Sequence, residues 1–193
     1  AEARARALVD QGHRTSAYGC DLTNADDVGE LAARVRGDHG DRLDALVNMA
    51  GGFASSGTVA EGAVDVWHRM LAINLTTAYL STRAFLPLVR AGRGAIVFFA
   101  SEAALPGSRI AGTAPYAAAK TGVVALMQAV AQEERANGVR SNALAPGAIR
   151  TAANMASMGA DKRYVEREDV ASAVAWLCSE DARAVTGQVI RLS

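Results

Sequence analysis

Residues 94–101 read GAIVFFAS, a short and continuous apolar run that ends in a serine. Strands that are buried on both faces have this composition, because helices cover both sides of a parallel sheet. Longer helical segments separate this run from others like it, so strands and helices alternate along the chain. This alternation predicts an α/β fold with a parallel sheet between layers of helices. The similar runs are LDALVNMA (43–50), VRSNALAPG (139–147) and GQVIRLS (187–193).

The segments between these runs predict helices and one further strand. HRTSAYGCDL (13–22) is interpreted as a strand, and Asn24 as the N-cap of the helix that follows it. Asparagine is a poor helix former, so the long apolar helix that contains Asn74 is expected to bend or break there. Residues 51–62 are rich in glycine and serine and are expected to form a loop. The predicted helices span residues 1–11, 24–40, 63–90, 113–137 and 167–181.

Composition narrows the range of functions. Half of the 193 residues are hydrophobic and 21% are charged, which suits one domain with a substantial core. Lysine plus arginine and aspartate plus glutamate number 20 each, so bulk charge predicts no nucleic-acid or membrane-surface partner. Arg83 and Arg90 interrupt the longest apolar stretch, which predicts no membrane span. Cys20 and Cys178 form no CxxC motif, so we expect reduced core thiols, no metal site and a cytoplasmic protein.

The stretch APYAAAKTGV (114–123) sets Tyr116 and Lys120 four residues apart. On a helix these side chains share a face. An ammonium close to a phenol favours the phenolate, so we expect Lys120 to lower the pKa of Tyr116 towards working pH. A tyrosine in that state exchanges protons with a hydroxyl or a carbonyl. The pair alone is also compatible with a tyrosine at the edge of a helix and a lysine that extends to solvent.

Polar residues and glycines lie where several predicted strands end. Ser101 ends the run at 94–101, NMAG (48–51) ends the run before it, and APGAIRT (145–151) follows the next. Ligands bind at the carboxyl ends of parallel strands, so we expect these residues to line one site. Asn74 is equally compatible with a capped or kinked helix junction, and APGAIRT with an ordinary exit from a strand.

Together these motifs resemble the short-chain dehydrogenase/reductase family, and the resemblance covers essentially the whole chain. Asn48-Met49-Ala50-Gly51 is similar to the family's NNAG motif. Pro146-Gly147 with Thr151 resembles the segment beside the nicotinamide, and Asp21-Leu22 the pair that meets the adenine ring. AVTGQVIRL resembles the closing strand. The residues that match the catalytic tetrad are Asn74, Ser101, Tyr116 and Lys120.

The resemblance implies an NAD(P)-dependent oxidoreductase, similar to 3-oxoacyl-carrier-protein reductases, that transfers hydride between nicotinamide and a secondary alcohol or ketone. Tyr116 is then the general acid/base, and Lys120 lowers its pKa and binds the nicotinamide ribose. Ser101 polarises the carbonyl, and Asn74 holds a water that relays protons. The sequence does not distinguish NAD from NADP. The resemblance assigns cofactor binding to Asp21, Leu22, Asn48, Ala50, Gly51, Tyr116, Lys120, Pro146, Gly147, Ile149 and Thr151.

Several features depart from the family pattern. Met49 replaces the second asparagine of NNAG, and Ser101 lies 15 residues before Tyr116, a slightly long spacing. The stretch from Thr151 to Asp169 is short and is expected to form a small lid with two methionines, Met155 and Met158. No glycine-rich GxGxxG turn lies near the start of the chain.

We therefore expect a Rossmann-type doubly wound parallel sheet in a three-layer αβα domain that lacks the first strand, the glycine-rich turn and the first helix. The expected domain spans residues 1–193 and is N-terminally incomplete. Residues 1–40 are expected to pack poorly, because the strand at 13–22 lacks its neighbour. Weak dinucleotide binding is expected for the same reason.

Three functions remain open: the oxidoreductase, a non-catalytic dinucleotide-sensing or scaffolding relative, and an inactive truncated fragment. The expected partner is a small carbonyl or alcohol substrate. The predicted helix over 113–137 is apolar on nearly every face, so it is expected to cover the sheet on one side and a second copy on another. A homodimer or homotetramer follows from this pattern.

Overall fold

The computed structural model describes residues 2–159 and 161–193. Within these ranges, four parallel strands form one sheet in the order β1-β2-β3-β4. The strands are β1 (Ala45–Asn48), β2 (Ala95–Phe99), β3 (Arg140–Pro146) and β4 (Val189–Leu192). The helices are α1 (Glu2–Asp10), α2 (Ala25–His39), α3 (Val64–Leu71), α4 (Thr77–Gly92), α5 (Ala114–Glu133), α6 (Ala152–Met158) and α7 (Arg167–Cys178).

Strand β2 lies inside the sheet, and every one of its residues is buried. Its side chains alternate between two hydrophobic clusters, as the pleat of a strand requires. Ile96 and Phe98 pack in the cluster that α4 and α5 cover, whereas Val97 and Phe99 pack in the cluster that α7 covers. Helices therefore lie on both faces of the sheet, and the predicted three-layer α/β architecture is confirmed.

The α-helix that contains Asn74 is interrupted there, as predicted. Between α3 and α4, residues Ala72–Thr76 form a π-helical turn. The backbone N–H of Thr77 reaches five residues back to the carbonyl of Ala72. The side-chain amide of Asn74 donates to the carbonyl of Met70 at 3.0 Å, so a side chain competes for the helical acceptors at this point. The interruption therefore coincides with a side-chain hydrogen bond of Asn74.

The strand predicted at residues 13–22 is wrong, because this segment has no regular secondary structure. A strand needs a neighbour for its backbone hydrogen bonds, and within the described ranges β1 pairs with β2 alone. Side chains hold the segment instead. The Thr15 hydroxyl donates to the carbonyl of Ala5, and the Tyr18 hydroxyl donates to Asp38 at 2.7 Å.

The first 40 residues differ in how well they pack. Helix α1 contains no buried residue, whereas α2 buries Val28 completely and packs against α4. The side chain of Asn24 caps α2 as predicted, accepting from the backbone N–H of Asp26 at 2.9 Å.

The helix predicted over 113–137 is shorter in the structure. Helix α5 ends at Glu133, and a 3₁₀ turn follows, with Gly138 in the left-handed region.

A buried asparagine near the start of β3 holds the segment that precedes β4. Asn142 donates to the carbonyl of Val185 at 2.9 Å and accepts from the backbone N–H of Gln188 at 3.0 Å. These bonds hold the segment before β4 against β3, and at the other end of the two strands Gly147 donates its N–H to the carbonyl of Leu192. The Pro-Gly turn after β3 therefore has a defined position at the edge of the sheet.

Candidate active site

The carboxyl ends of three strands gather the predicted site residues along one edge of the sheet. Asn48 is the last residue of β1, Pro146 is the last of β3, and Ser101 follows β2 by two residues. Parallel strands end at the same edge, where open α/β sheets bind their ligands. Helix α5 begins at Ala114 and carries Tyr116 in its first turn.

Lys120 is the most deeply buried charged group of the site, with 6% of its surface exposed. Its ammonium donates to the backbone carbonyl of Phe99 at 2.7 Å, which ties α5 to the end of β2. Burial penalises the charged form and lowers the pKa of Lys120 to about 8. An ammonium has three N–H donors, so the bond to Phe99 leaves two for a ligand.

Tyr116 is partly buried, and burial raises the pKa of its phenol, while the nearby Ser101 hydroxyl opposes that change. The Lys120 Nζ atom lies 5.9 Å from the centre of the tyrosine ring. The expected direction of the Tyr116 pKa shift is therefore wrong for this arrangement. The lysine donates to the Phe99 carbonyl instead, and desolvation of the phenol is the largest cause of its pKa shift.

Asn74 joins the interrupted helix to the loop that follows β1. Its side chain accepts from the backbone N–H of Gly52 at 3.1 Å and donates to the carbonyl of the same residue at 2.9 Å. A Cβ atom built on Gly51 would lie 2.6 Å from Asn74 Oδ1 and 3.4 Å from Lys120 Nζ. Gly51 thus lets the backbone approach both side chains, and Asn74, Gly51 and Lys120 meet at one point.

The Pro146-Gly147 turn lies beside the segment that follows Ser101. A Cβ atom built on Gly147 would approach a carboxylate oxygen of Glu102 to 3.0 Å. Glu102 also accepts from Nε of Arg191, at the end of β4, at 2.8 Å. The ends of β2, β3 and β4 are therefore in contact through Glu102.

Thr151 and Ile149 fix the start of the short lid. The Thr151 hydroxyl accepts from the backbone N–H of Asn154 and so caps α6, while the carbonyl of Ile149 accepts from the Asn154 side chain at 2.7 Å. The Tyr164 hydroxyl donates to the carbonyl of Gly159, just after α6. The segment is short and helical, and its methionines, Met155 and Met158, are exposed.

The remaining predicted cofactor residues are less closely connected to this group. The Asp21 carboxylate accepts from the backbone N–H and the hydroxyl of Thr23, which holds its pKa below the usual value. Across residues 2–159 and 161–193, no hydrogen bond joins Asp21 or Leu22 to the other site residues. Asn48 donates to the hydroxyl of Thr82 at 3.0 Å, so its side chain supports α4. Ala50 is exposed in the loop after β1.

Three site contacts were not predicted from the sequence: the Phe99 carbonyl that holds Lys120, the Glu102 carboxylate beside Gly147, and the Phe53 ring against Tyr116. The rings of Phe53 and Tyr116 lie 5.1 Å apart between centres, at 80° to each other. Phe53 is the one aromatic residue in a loop rich in glycine and serine, residues 51–62. A lone aromatic residue in such a loop is a pattern that is visible in the sequence.

The residues of this edge suit a nicotinamide dinucleotide better than a metal. In the part of the chain that the structure describes, no three histidine, cysteine, aspartate or glutamate side chains cluster as metal ligands. Lys120 keeps donors for a ribose hydroxyl, and Gly51 leaves room where a Cβ atom would collide with Asn74.

Among the residues that the structure describes, no helix is long and apolar enough to cross a membrane.

The depressed pKa of Lys120 predicts a pH-dependent stability. Between pH 8 and the ordinary lysine pKa of 10.5, the unfolded chain holds a proton at Lys120 that the folded chain has released. Stability therefore rises with pH across this window. Relative to Lys120→Met, the free energy of unfolding of the wild type is expected to rise by up to roughly 3 kcal/mol over the window, measured by urea unfolding.

Lys162→Met is the control, because it removes an exposed ammonium instead of a buried one. If the difference in free energy of unfolding between the wild type and Lys120→Met stays constant from pH 8 to pH 10.5, the lowered pKa of Lys120 is contradicted.

Comparison with known proteins indicates the family of this chain. The sequence profile of a family described as enoyl-(acyl carrier protein) reductase matches residues 1–192. The cis-4-hydroxycyclohexanecarboxylate dehydrogenase of Sinomonas cyclohexanicum is 36% identical, over 96% of this chain and 78% of its own length.

Solved structures with the same fold extend this comparison. A short-chain type dehydrogenase/reductase from Mycobacterium ulcerans is 30% identical and has a TM-score of 0.89, over 99% of this chain and 74% of its own. The structure of ElxO with NADP bound is 28% identical and has a TM-score of 0.84, over 91% of this chain and 75% of its own. The chain therefore belongs to the short-chain dehydrogenase/reductase family, whose members use NAD or NADP as cofactor.

Proposed function

We propose that this chain is an NAD(P)-dependent oxidoreductase that interconverts a small secondary alcohol and the corresponding ketone. The observation that carries the proposal is the meeting of Tyr116, Ser101, Lys120 and Asn74 at the carboxyl edge of the sheet. A phenol, a hydroxyl, a buried ammonium and a fixed amide are the groups that a proton transfer to a carbonyl oxygen requires.

The cofactor supplies the hydride chemistry when it is bound. Tyr116 donates its hydroxyl proton to the carbonyl oxygen of the substrate as that oxygen becomes an alcohol, and it takes the proton back in the reverse reaction. Burial keeps the pKa of Tyr116 above its ordinary value, so the phenol holds its proton at neutral pH. This state suits the direction that reduces a ketone.

Ser101 and Lys120 act on either side of Tyr116. The Ser101 hydroxyl lies near the phenol and donates to the same carbonyl oxygen, which orients the substrate and stabilises developing negative charge. Lys120 is anchored by Phe99 and keeps donors for a ribose hydroxyl of the cofactor. Asn74 keeps the loop after β1 in place through Gly52 and lies next to Gly51, on the route from Lys120 to solvent.

The residues that would hold the cofactor lie on the loops at this edge. Ala50 and Gly51 follow β1. Pro146 ends β3, and Gly147, Ile149 and Thr151 follow it. We propose that these two loops enclose the nicotinamide half of either NAD or NADP, within a single domain. The Sinomonas relative carries a hydroxycyclohexanecarboxylate in its name, and a small cyclic alcohol or ketone is therefore a suitable first substrate to test.

Tyr116→Phe is expected to lower the rate of ketone reduction at least about a hundredfold, because it removes the proton donor and leaves the ring packing in place. Turnover is measured by the oxidation of NADH and NADPH in the presence of a panel of ketones. Thermal unfolding with and without millimolar cofactor measures binding, which is expected to survive the substitution.

Tyr79→Phe is the matched control, because Tyr79 is an exposed tyrosine of α4. Turnover that survives in Tyr116→Phe would contradict the acid/base role. A wild-type chain whose unfolding temperature does not respond to either cofactor would instead favour the inactive fragment. Cofactor binding without turnover of any ketone would favour the sensing or scaffolding relative.

We further propose that the chain forms a homodimer or homotetramer in the cytoplasm. Helix α5 exposes small side chains, Ala118 and Ala125, that allow a partner helix to approach closely, and Trp67 and Trp176 are partly exposed. Both cysteines are free, which suits a reducing compartment. Sedimentation at micromolar concentration is expected to give a dimer or a tetramer, and a monomer would refute the assembly.

A further inference from the structure

Phe53 combines high exposure with a contact to the candidate acid/base. Its side chain is 60% exposed, although its ring packs edge-to-face against Tyr116 with 5.1 Å between the ring centres. Edge-to-face pairs are favourable aromatic geometries. One part of the Phe53 ring therefore contacts the proposed catalytic tyrosine, and the rest of the ring is accessible to solvent or to a bound ligand.

The loop holds Phe53 in this position from both sides. On one side, Gly52 makes two hydrogen bonds with the side chain of Asn74. On the other, the backbone N–H of Ser56 donates to the carbonyl of Gly112 at 2.8 Å, and the Ser55 hydroxyl donates to the same carbonyl at 3.1 Å. Gly112 belongs to the segment that leads into α5, so the loop is fastened to the segment that carries Tyr116.

Phe53 contributes nothing to the hydrophobic core. Neither of the two core clusters of the described residues includes it, and more than half of its surface is in contact with solvent. Leaving a large apolar side chain in water forgoes the favourable free energy of its burial. A ring held by two anchors beside Tyr116 regains that free energy when an apolar ligand covers it.

We propose that Phe53 is a specificity-determining residue, an apolar wall that packs against a ring or an alkyl group attached to the carbonyl carbon of the substrate. This inference rests on the proposed function. The Tyr116 oxygen is bonded to the ring that Phe53 contacts, so a carbonyl placed at that oxygen directs one substituent towards Phe53. Ketones with an apolar ring or chain are therefore preferred over ketones with small substituents.

Two probe ketones and three variants test the wall. Cyclohexanone carries an apolar ring, and acetone carries only methyl groups. In Phe53→Ala, kcat/KM for cyclohexanone is expected to fall about tenfold, chiefly through KM, while kcat/KM for acetone changes less than about threefold. Phe53→Leu restores much of the apolar surface and is expected to recover most of the preference for cyclohexanone.

Val59→Ala is the matched control. Val59 belongs to the same loop and is 85% exposed. Neither hydrophobic cluster of the described residues includes Val59, and this variant is expected to keep the wild-type ratio between the two ketones. A fall in kcat alone, equal for both ketones in Phe53→Ala, would show a general loss of geometry and would overturn the proposed wall.

A titration of Tyr116 provides a readout that does not need turnover. In protein labelled at the tyrosine ring carbons, the Tyr116 resonance is assigned by its loss in Tyr116→Phe. Removal of the Phe53 ring exposes the phenol to water, so the Tyr116 titration in Phe53→Ala is expected to move to lower pH. An unchanged titration would show that Phe53 does not cover the phenol, and it would overturn the inference.

The outcomes separate this inference from the function on which it rests. If the wild type reduces both ketones and Phe53→Ala keeps their ratio, the inference alone is contradicted. If the wild type reduces neither ketone with NADH or NADPH, the substrate class proposed here is contradicted together with the function. A selective loss of cyclohexanone reduction supports both.

Discussion

The hydrogen bond from the Lys120 ammonium to the Phe99 carbonyl joins helix α5 to the carboxyl end of the interior strand β2. Burial of an ammonium is costly unless its donors are satisfied, and the lowered pKa of Lys120 records that cost. The bond fixes the lysine at one place along the edge of the sheet. Tyr116, one helical turn earlier on α5, is placed by the same contact.

Asn74 performs the corresponding task on the other side of the site. Its side chain donates to the carbonyl of Met70 at the π-helical turn and makes two hydrogen bonds with Gly52. The same side chain therefore connects the interrupted helix to the loop after β1. Gly51 completes the arrangement, because any larger residue would collide with the asparagine. The loop beyond it then extends to Gly112, with Phe53 between the two anchors.

The elements that local sequence dictates were predicted well. A continuous apolar run such as GAIVFFAS favours an interior parallel strand. Asn74 is a poor helix former within an apolar helix, so it predicts an interruption of that helix. The strand expected at 13–22 is wrong because a strand needs a neighbour for its backbone hydrogen bonds, and local composition favours a strand whether or not that neighbour is present. The candidate site residues were proposed from motif and spacing, whereas the direction of the Tyr116 pKa shift depends on burial, which the sequence does not show. Phe53 was missed because its role comes from a contact between residues far apart in the chain.

The central proposal is that a ketone bound at this edge of the sheet accepts a hydride from the nicotinamide and a proton from Tyr116. Its most direct test is the reduction of a ketone with NADH or NADPH deuterated at the transferring position of the nicotinamide, followed by mass spectrometry of the alcohol. The account predicts an alcohol with deuterium on its carbinol carbon from the wild type and almost no product from Tyr116→Phe. An alcohol without deuterium, or equal amounts of labelled product from both proteins, would contradict it.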